Sequence, residues 1–311
     1  MAVRDRPFFT DIIATAADFR PEAGAAYVLR RLPREERGGH VEHWRAGAAS
    51  TDFVWVVNEE QTYVEVEVRG DIHRVALRSR DQLRKLWETI GSQLIYIDIT
   101  SLRHGTWAPL LKTGLSTGAN IRVVYVEPEK YRPSLTPTGG EIYDLSERIQ
   151  GIAPIPGFAS LSDNVDNFCF VPLLGFEGTR VSHLVEHVQP LANRTIPVVG
   201  VPGFSAEYPF ATYLGNQNPL IETRGWQNVR FAAANSPFSL FYVLEDIEAE
   251  YPGHLLKIAP VGTKPHALGA VLFSLISSGS VELVYDHPMP RVQRTEGTAR
   301  LLTYHISAFV A

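Results

Sequence analysis

The chain has 311 residues, of which 45% are hydrophobic and 20% charged, a composition that fits a globular protein of one large or two modest domains. Its net charge of −5 at pH 7 excludes a global basic field, so we expect no extended nucleic-acid surface and no binding to an anionic membrane. A single cysteine, Cys169, excludes a disulfide framework and a cysteine-rich zinc site. It is expected to be a buried side chain.

Two further absences bear on the compartment. No apolar run approaches the ~20 residues of a membrane helix, and no secretory signal is visible in the first thirty residues. Together with the low cysteine content, these features predict a cytoplasmic protein.

The N-terminal part of the chain changes character near residue 51. Residues 1–50 are mixed and favour a helix or two. Apolar residues then recur in Phe53–Val57, Tyr63–Val68 and Arg74–Leu77, and in the middle run they alternate with polar residues with period 2. This pattern predicts a small antiparallel meander.

From Ser79 the spacing of apolar residues becomes helical. Ser79–Ile90 is predicted as a capped helix, followed by a strand at Leu94–Ile99, a helix near Thr106–Leu115 and a strand at Ile121–Val126. Strands that alternate with helices of this length predict parallel βαβ units.

A long connection and a second α/β series follow. Glu127–Asn167 is rich in proline, glycine and serine and is interpreted as a linker with one helix at Glu141–Ile149. Beyond it, strands are predicted at Phe168–Leu174, Thr195–Val201, Val229–Ala233, Leu255–Val261, Val281–Tyr285 and Leu301–Phe309, the last as an antiparallel edge strand. Helices are predicted at Thr179–Val188, Ser236–Glu250 and His266–Ser277.

These elements predict an α/β protein with two Rossmann-like halves, mainly parallel sheets and a small N-terminal β-rich element. The expected divisions are residues 1–78, 79–150 and 151–311. Leu94–Pro128 can be laid beside Leu255–Pro288, since each has a strand, a loop with threonine and a basic residue, a helix and a second strand. Duplication and the general likeness of any two βαβ units both account for this match.

The turn Gly262-Thr263-Lys264 is the most direct indication of chemistry. It lies between a predicted strand and a helix, the layout in which free N–H groups and the partial positive charge of a helix N-terminus bind phosphate. Gly262 would allow close approach of the backbone, and Lys264 would add a full charge. The turn lacks the glycine spacing of a full P-loop, so an ATPase is not expected.

The same turn resembles the second signature of CARF domains, the CRISPR-associated Rossmann-like sensors of cyclic oligonucleotides. Asp98–Arg103 resembles the strand ends of related modules in prokaryotic conflict systems, and two such units in one chain are similar to the SAVED domain. The resemblance implies a nucleotide sensor of a defence system that forms a homo-oligomer or acts on an effector protein. By position, Thr100 and Arg103 would correspond to Thr263 and Lys264.

Other candidate ligand residues lie in the turns that follow predicted strands. Gly175 would permit a tight loop, Glu177 would bind a ribose hydroxyl and Arg180 would bind a phosphate; a glycine turn with both charged residues exposed or paired is the alternative. Gly203 and Asn235 end two further strands, and Asn235 would read a base or ribose edge. Ser236 is expected to cap a helix.

Candidates for catalysis and metal binding are fewer. Asp286 beside His287 would tune a general base, although neighbouring residues of a strand point to opposite faces and a structural role competes. His183 and His187 are spaced for one helix face but lack the glutamate of a zinc motif, so a surface helix is favoured. No metal and no cofactor are predicted.

Three functions remain open at this point. The first is a cytoplasmic nucleotide sensor, and the second is a hydrolase of a nucleotide or of NAD in which Glu177 or Asp286 acts on the ligand. The third is an interaction subunit with a vestigial pocket, which the aromatic run Phe204–Tyr213 would support if it formed an exposed apolar patch.

Overall fold

A computed structural model describes residues 9–160 and 167–311. Its strands, in chain order, are β1 Thr10–Ile13, β2 Ala26–Arg30, β3 Asp52–Glu59, β4 Tyr63–Val68, β5 Asp71–Ala76, β6 Leu94–Asp98, β7 Asn120–Val126, β8 Lys130–Tyr131, β9 Ser146–Ile149, β10 Ala153–Pro154, β11 Phe168–Leu173, β12 Val198–Gly200, β13 Arg230–Ala232, β14 Leu255–Pro260, β15 Val281–Tyr285, β16 Pro288–Pro290, β17 Thr295–Glu296 and β18 Leu301–His305. The helices are α1 Arg80–Ile90, α2 His104–Leu115, α3 Gly178–Val188, α4 Tyr208–Gly215, α5 Gln217–Glu222, α6 Pro237–Glu250, α7 Lys264–Ile276 and α8 Ile306–Val310.

The fold is mixed α/β, and the described chain separates into two compact units. One contains residues 9–132 and 292–311, and the other contains residues 133–160 and 167–291. The division of the sequence at residues 78 and 150 stays a prediction. The meander that it assigns to the N-terminal part is hydrogen-bonded into the same sheet as β2 and β6.

The first unit is built on an eight-stranded sheet in the order β1-β18-β7-β6-β2-β3-β4-β5. Its centre, β7-β6-β2-β3, is parallel, and the outer pairs are antiparallel. The predicted meander is confirmed as β3, β4 and β5. The β2 strand, in which the first four residues are apolar and buried, was not predicted, and residues 36–43 form a 3₁₀ helix, Glu36–His43.

The last strand required a correction. Leu301–Phe309 was predicted as an edge strand of the second series, but β18 ends at His305 and lies between β1 and β7 of the first sheet. Its antiparallel direction is confirmed. The chain returns to the first sheet because β18 completes that core with Leu301, Leu302 and Tyr304, all buried.

Local signals fixed the boundaries of α1 correctly. The Ser79 hydroxyl accepts a hydrogen bond from the backbone N–H of Gln82 at 3.4 Å, and Gly91 ends the helix in the left-handed region with φ 66°. The helix buries Leu83, Leu86, Trp87 and Ile90, the apolar stripe that the spacing predicted.

The second unit carries a six-stranded sheet in the order β13-β12-β11-β14-β15-β10. The first five strands are parallel and β10 is antiparallel. The chain therefore runs outward from β11 in both directions, first to β12 and β13 and then to β14 and β15. All five parallel strands end at one edge, and every predicted parallel strand of this series is present.

Between β13 and β15 the chain forms two long helices, α6 and α7, that pack closely. A Cβ atom on Gly269 of α7 would overlap the carbonyl oxygen of Pro237 at the start of α6. The absence of a side chain at Gly269 therefore sets how near the two helices approach. Their N-terminal turns lie together at the carboxyl edge of the sheet.

The predicted helix at Glu141–Ile149 is wrong. Residues Ser146–Ile149 form β9, which pairs with β16, because the proline-rich segment after β15 supplies a backbone partner that apolar spacing cannot reveal. Gly139 and Gly140 both adopt positive φ and exclude a helical start just upstream. The end of the predicted linker, residues 161–166, lies outside the described residues.

Two short helices, α4 and α5, were not predicted. They occupy the connection from β12 to β13, which contains the aromatic run Phe204–Tyr213. Across the described ranges, no helix combines the length and the apolar character that crossing a membrane requires.

Candidate functional site

Most of the predicted ligand residues lie at the carboxyl edge of the five parallel strands. The loops that follow β11, β12, β13, β14 and β15 end there side by side. Since β11 and β14 are neighbours whose chains leave in opposite directions, a crevice between them is the position at which open parallel sheets bind ligands.

The N-termini of α6 and α7 meet at this edge. The Ser236 hydroxyl accepts from the N–H of Ser239 at 3.1 Å and caps α6, as predicted. The Thr263 hydroxyl accepts from the N–H of His266 at 3.3 Å and caps α7. The same hydroxyl donates to the carbonyl of Ala234 at 2.7 Å, which ties the two N-terminal turns together.

Two helix N-termini in contact concentrate positive potential at one place. Each helix carries about half a positive charge at this end, and Lys264, which is only partly buried, is the first residue of α7. Asn235 directly precedes the α6 cap. The structure therefore brings Thr263, Lys264, Asn235 and Ser236 together at one edge of the sheet.

His266 supports this turn as a neutral side chain. It is fully buried, and with the proton assigned to Nε2 it donates to the carbonyl of Ala233 at 3.1 Å, whereas Nδ1 is buried without a partner. Burial lowers the pKa of His266 to about 4, against which the hydrogen bonds to the backbone act only weakly. At pH 7 the imidazole adds no charge to the turn.

This buried histidine predicts a pH dependence of stability. The unfolded chain takes up the His266 proton near its ordinary pKa of 6.5, and the folded chain takes it up only near 4. Below pH 6.5 the unfolded state therefore binds more protons, and the free energy of unfolding should fall by on the order of 3 kcal/mol as the pH drops to 4. In the His266→Gln variant, the free energy of unfolding measured with urea should fall less steeply with decreasing pH than it does in the wild-type protein. The exposed His187→Gln is the control, and equal slopes for both variants would contradict the assignment.

The turn after β11 holds a buried ionic network. Arg180 donates from Nε to Oδ2 of Asp286 at 2.7 Å and from Nη2 to Oδ1 at 2.6 Å, a bidentate pair. It also lies 3.5 Å from Glu177 and donates to the carbonyl of Val261 at 3.3 Å. Burial opposes the charge of Arg180, but the hydrogen bonds to Asp286 and its negative charge outweigh burial and raise the pKa further.

Three residues that were separate candidates in sequence thus form one cluster. Asp286 is fully buried, and Glu177 is 7% exposed. Glu177 accepts from the N–H of Leu145 at 2.8 Å and from the hydroxyl of Ser146 at 2.9 Å. Both carboxylates and the guanidinium are therefore engaged inside the protein, where they join α3, the end of β15 and the segment before β9.

A cleft of about 580 Å³ opens beside this cluster, between α3 and residues 141–151. Four of its twelve lining residues are acidic, Glu141, Asp144, Glu147 and Glu177, and two are arginines, Arg148 and Arg180, of which Arg180 is paired with Asp286. Glu141 accepts from the N–H of Thr179 at 2.6 Å and so occupies the start of α3. Burial raises the pKa of Glu141, and the negative charges of Glu177 and Asp144 raise it further. The hydrogen bonds from Thr179 act in the opposite direction but do not cancel the increase. An anionic ligand is disfavoured here.

The predicted glycines bring backbone close to backbone. A Cβ atom on Gly175 would lie 2.8 Å from the carbonyl oxygen of Val261, and one on Gly262 would lie 2.6 Å from that of Leu174. The loops after β11 and β14 touch only because both residues lack side chains. At Gly203 the nearest atom to an added Cβ is the carbonyl oxygen of Ser205, at 2.8 Å.

Thr100 and Arg103 lie in the other unit, after β6. The Thr100 hydroxyl accepts from the N–H of Val126 at 2.9 Å, and the backbone N–H of Thr100 donates to the carboxylate of Asp98 at 2.8 Å. The N–H of Arg103, which precedes α2, donates to Glu59 at 2.8 Å. The two halves of the predicted repeat are both strand–helix–strand units with adjacent parallel strands, but threonine caps the helix only at Thr263.

The remaining candidates behave as structural residues. His183 lies exposed on α3, 4.0 Å from Glu186, and no group of three or more potential metal ligands occurs within residues 9–160 and 167–311. Cys169 is buried in β11, and burial raises the pKa of its thiol to about 11. Glu141 was missed because its partner, Thr179, is distant in sequence.

Comparison with known proteins adds no family. No protein-family model and no curated protein sequence matches the chain. The geometry of the described residues therefore carries the functional argument.

Proposed function

We propose that the protein binds a nucleotide, or another small molecule that carries a phosphate, at the joined N-termini of α6 and α7. The observation that carries this proposal is the contact of the two N-terminal turns through Thr263 and Ala234, with Lys264 beside them. Helix N-termini bind phosphate through free N–H groups and their dipole, and a lysine adds a point charge.

The order of the strands in the sheet supports the same position for the ligand. Counted from β11, the parallel strands of the second unit lie in the order 3-2-1-4-5, the arrangement of a Rossmann-like module, and the ligand of such a sheet lies at the carboxyl edge. The four parallel strands of the first unit lie in the order 2-1-3-4 from β2, which fits a second Rossmann-like half. Two such halves are part of the proposal.

Recognition fits the geometry better than catalysis. A hydrolase would need a carboxylate or histidine that can reach the reacting atom. Asp286 is fully buried against Arg180, and Glu177 binds Leu145 and Ser146, so each holds the fold together. His266 is enclosed. We therefore favour a sensor over the alternative of a nucleotide- or NAD-processing enzyme.

One turn also supports a biological setting for this sensor. The turn Gly262-Thr263-Lys264, through its resemblance to CARF domains, supports a cytoplasmic protein of a prokaryotic defence system that responds to a nucleotide, cyclic oligonucleotides included. The resemblance also supports a homo-oligomer or an effector-protein partner.

A thermal-shift screen tests the proposal. Mononucleotides, NAD and cyclic oligonucleotides are each added to the purified protein, and the nucleotide is recovered by chromatography afterwards. A ligand at ~100 times its Kd adds about 2.7 kcal/mol to the free energy of unfolding. Stabilisation with intact nucleotide supports the sensor; a consumed nucleotide supports the enzyme; and stabilisation by none of them contradicts nucleotide binding.

An interaction subunit remains a second candidate because of one observation. Among the described residues, fourteen large apolar side chains are exposed, and seven of them lie within residues 201–231. Within the aromatic run Phe204–Tyr213, Phe210 and Tyr213 are exposed and Tyr208 is buried, and further exposed apolar side chains follow as far as β13.

A further inference from the structure

A single connection of the second unit carries most of its exposed apolar side chains. Residues 201–231 include α4, α5 and the first two residues of β13, and the most exposed side chains are Phe210 at 76%, Ile221 at 67%, Trp226 at 58% and Phe231 at 53%. The α4 helix contacts α5, and α5 contacts the turn at Gly225–Gln227 that leads into β13. We call this the β13 surface.

The size of the β13 surface is that of an interface. Large aromatic side chains bury about 150–250 Å² each when covered. From the exposed fractions of its seven apolar side chains, the surface offers on the order of 600 Å², close to the ~800 Å² per partner of a standard interface. This area lies at the upper end of the ~300–600 Å² of the largest apolar patch on a typical monomer, and such patches are often functional.

Among the described residues, the other edge strands of the two large sheets carry charged residues or proline, which in β1 and β5 lie beside the exposed apolar residues Ile12 and Ile72. The outer strand β5 carries Asp71, His73 and Arg74, and β10 ends in Pro154. On β1, Asp11 is exposed and lies 2.6 Å from His305. Charges and proline on an edge discourage pairing with another chain.

The central residue of β13 is Phe231, which is exposed, and the neighbouring Arg230 is ion-paired with Glu250 of α6 at 2.7 Å.

The backbone of β13 fits a second copy of itself. The N–H of Arg230 donates to Pro197 and the carbonyl of Ala232 accepts from Val201, both at 2.8 Å and both on the β12 side. Because successive residues of a strand direct these groups to opposite sides, the N–H and carbonyl of Phe231 point outward. Across a two-fold axis, the N–H of Phe231 in each copy can donate to the carbonyl of Phe231 in the other. The two β13 strands would then form an antiparallel pair.

Charge also favours self-association over a charged partner. Residues 201–231 contain two acidic residues, Glu207 and Glu222, and two basic residues, Arg224 and Arg230, and their sum is zero in a chain of net charge −5. Two copies therefore meet here without the repulsion that the rest of the surface would create.

We propose that the β13 surface is the interface of a two-fold dimer of this chain, in which β13 pairs with its copy through Phe231 and the exposed side chains of α4 and α5 cover each other. The pairing would join the two six-stranded sheets into one. The proposal goes beyond nucleotide binding and needs no ligand for its test.

Sedimentation velocity of the full chain from ~1 to ~100 μM provides the first measurement. We expect a dimer, and Phe231→Glu should raise its Kd by about 30-fold or more because it places a charge at the centre of the interface. Ile72→Glu, at a 63% exposed position of the other edge strand β5, is the matched control and should leave the Kd unchanged. Should Phe231→Glu fail to fold, Phe210→Glu replaces it.

A cross-link tests the register. Phe231 and its copy would form a hydrogen-bonded pair with Cα atoms about 5.5 Å apart, within the ~4.4–6.8 Å of a disulfide. After oxidation, Phe231→Cys should run as a covalent dimer on a non-reducing gel, and Ile72→Cys should not. The native Cys169 is buried, so it should add no cross-link of its own. A wild-type chain that stays monomeric at ~100 μM, a Kd unaffected by charge at Phe231 and Phe210, or equal cross-linking of both cysteine variants would overturn the proposal.

Discussion

Replacement of Lys264 by alanine should weaken nucleotide binding by roughly 10- to 150-fold. A hydrogen bond to a charged group contributes about 1.5–3 kcal/mol, and each 1.4 kcal/mol is about tenfold in Kd. Lys264 is the first residue of α7, at the point where the N-termini of α6 and α7 touch. Isothermal titration with the nucleotide that stabilises the wild-type protein measures the change.

The control for this variant is Lys85→Ala, an exposed lysine of α1 in the other unit. It removes the same charge and should leave the Kd unchanged. Because the interaction is electrostatic, the difference between the two variants should shrink as salt is added. If both variants bind as the wild type does, phosphate is not held at this turn.

Loss of the buried pair between Arg180 and Asp286 should have the largest effect on stability. Asp286→Asn leaves Arg180 enclosed with Glu177 as its one remaining carboxylate, and removal of one partner of a buried ion pair costs about 3–5 kcal/mol. The pair is bidentate, with distances of 2.6 and 2.7 Å, and Asp286 has no exposed surface. Urea unfolding at pH 7 measures the loss.

A surface ion pair supplies the matched comparison. Arg84 and Glu88 lie 3.4 Å apart on α1, and both are more than half exposed. Glu88→Gln should change the free energy of unfolding by at most ~0.5 kcal/mol. A catalytic Asp286 would give the opposite pattern, in which Asp286→Asn keeps full stability but loses turnover of the nucleotide.

Elements with strong local signals were predictable from the sequence. The α1 helix has a capping serine, an apolar stripe and a terminal glycine, and β4, the middle strand of the meander, alternates with period 2. Each signal lies within the element that it specifies. The β2 strand has none of them, because a short strand buried on both faces has no alternation, and β9 depends on a partner in β16.

Some features of the candidate site were predictable from the sequence, and others were not. The cap at Thr263 and the position of Lys264 follow from a strand, a turn and a helix that are contiguous in the chain. The pairing of Arg180 with Asp286 joins residues 106 positions apart, and the contact of Glu141 with Thr179 joins residues 38 apart. Only the sheet order brings these side chains together, and sequence patterns do not determine that order.

Hydrogen–deuterium exchange with and without the stabilising nucleotide tests the central claim most directly. The account predicts slower exchange of backbone amides at the starts of α6 and α7, residues 236–240 and 263–268, since ligand oxygens would accept from these groups. Protection confined to residues 141–151 and the start of α3 would contradict it. The ligand would then lie in the acidic cleft, and Lys264 would have no part in binding.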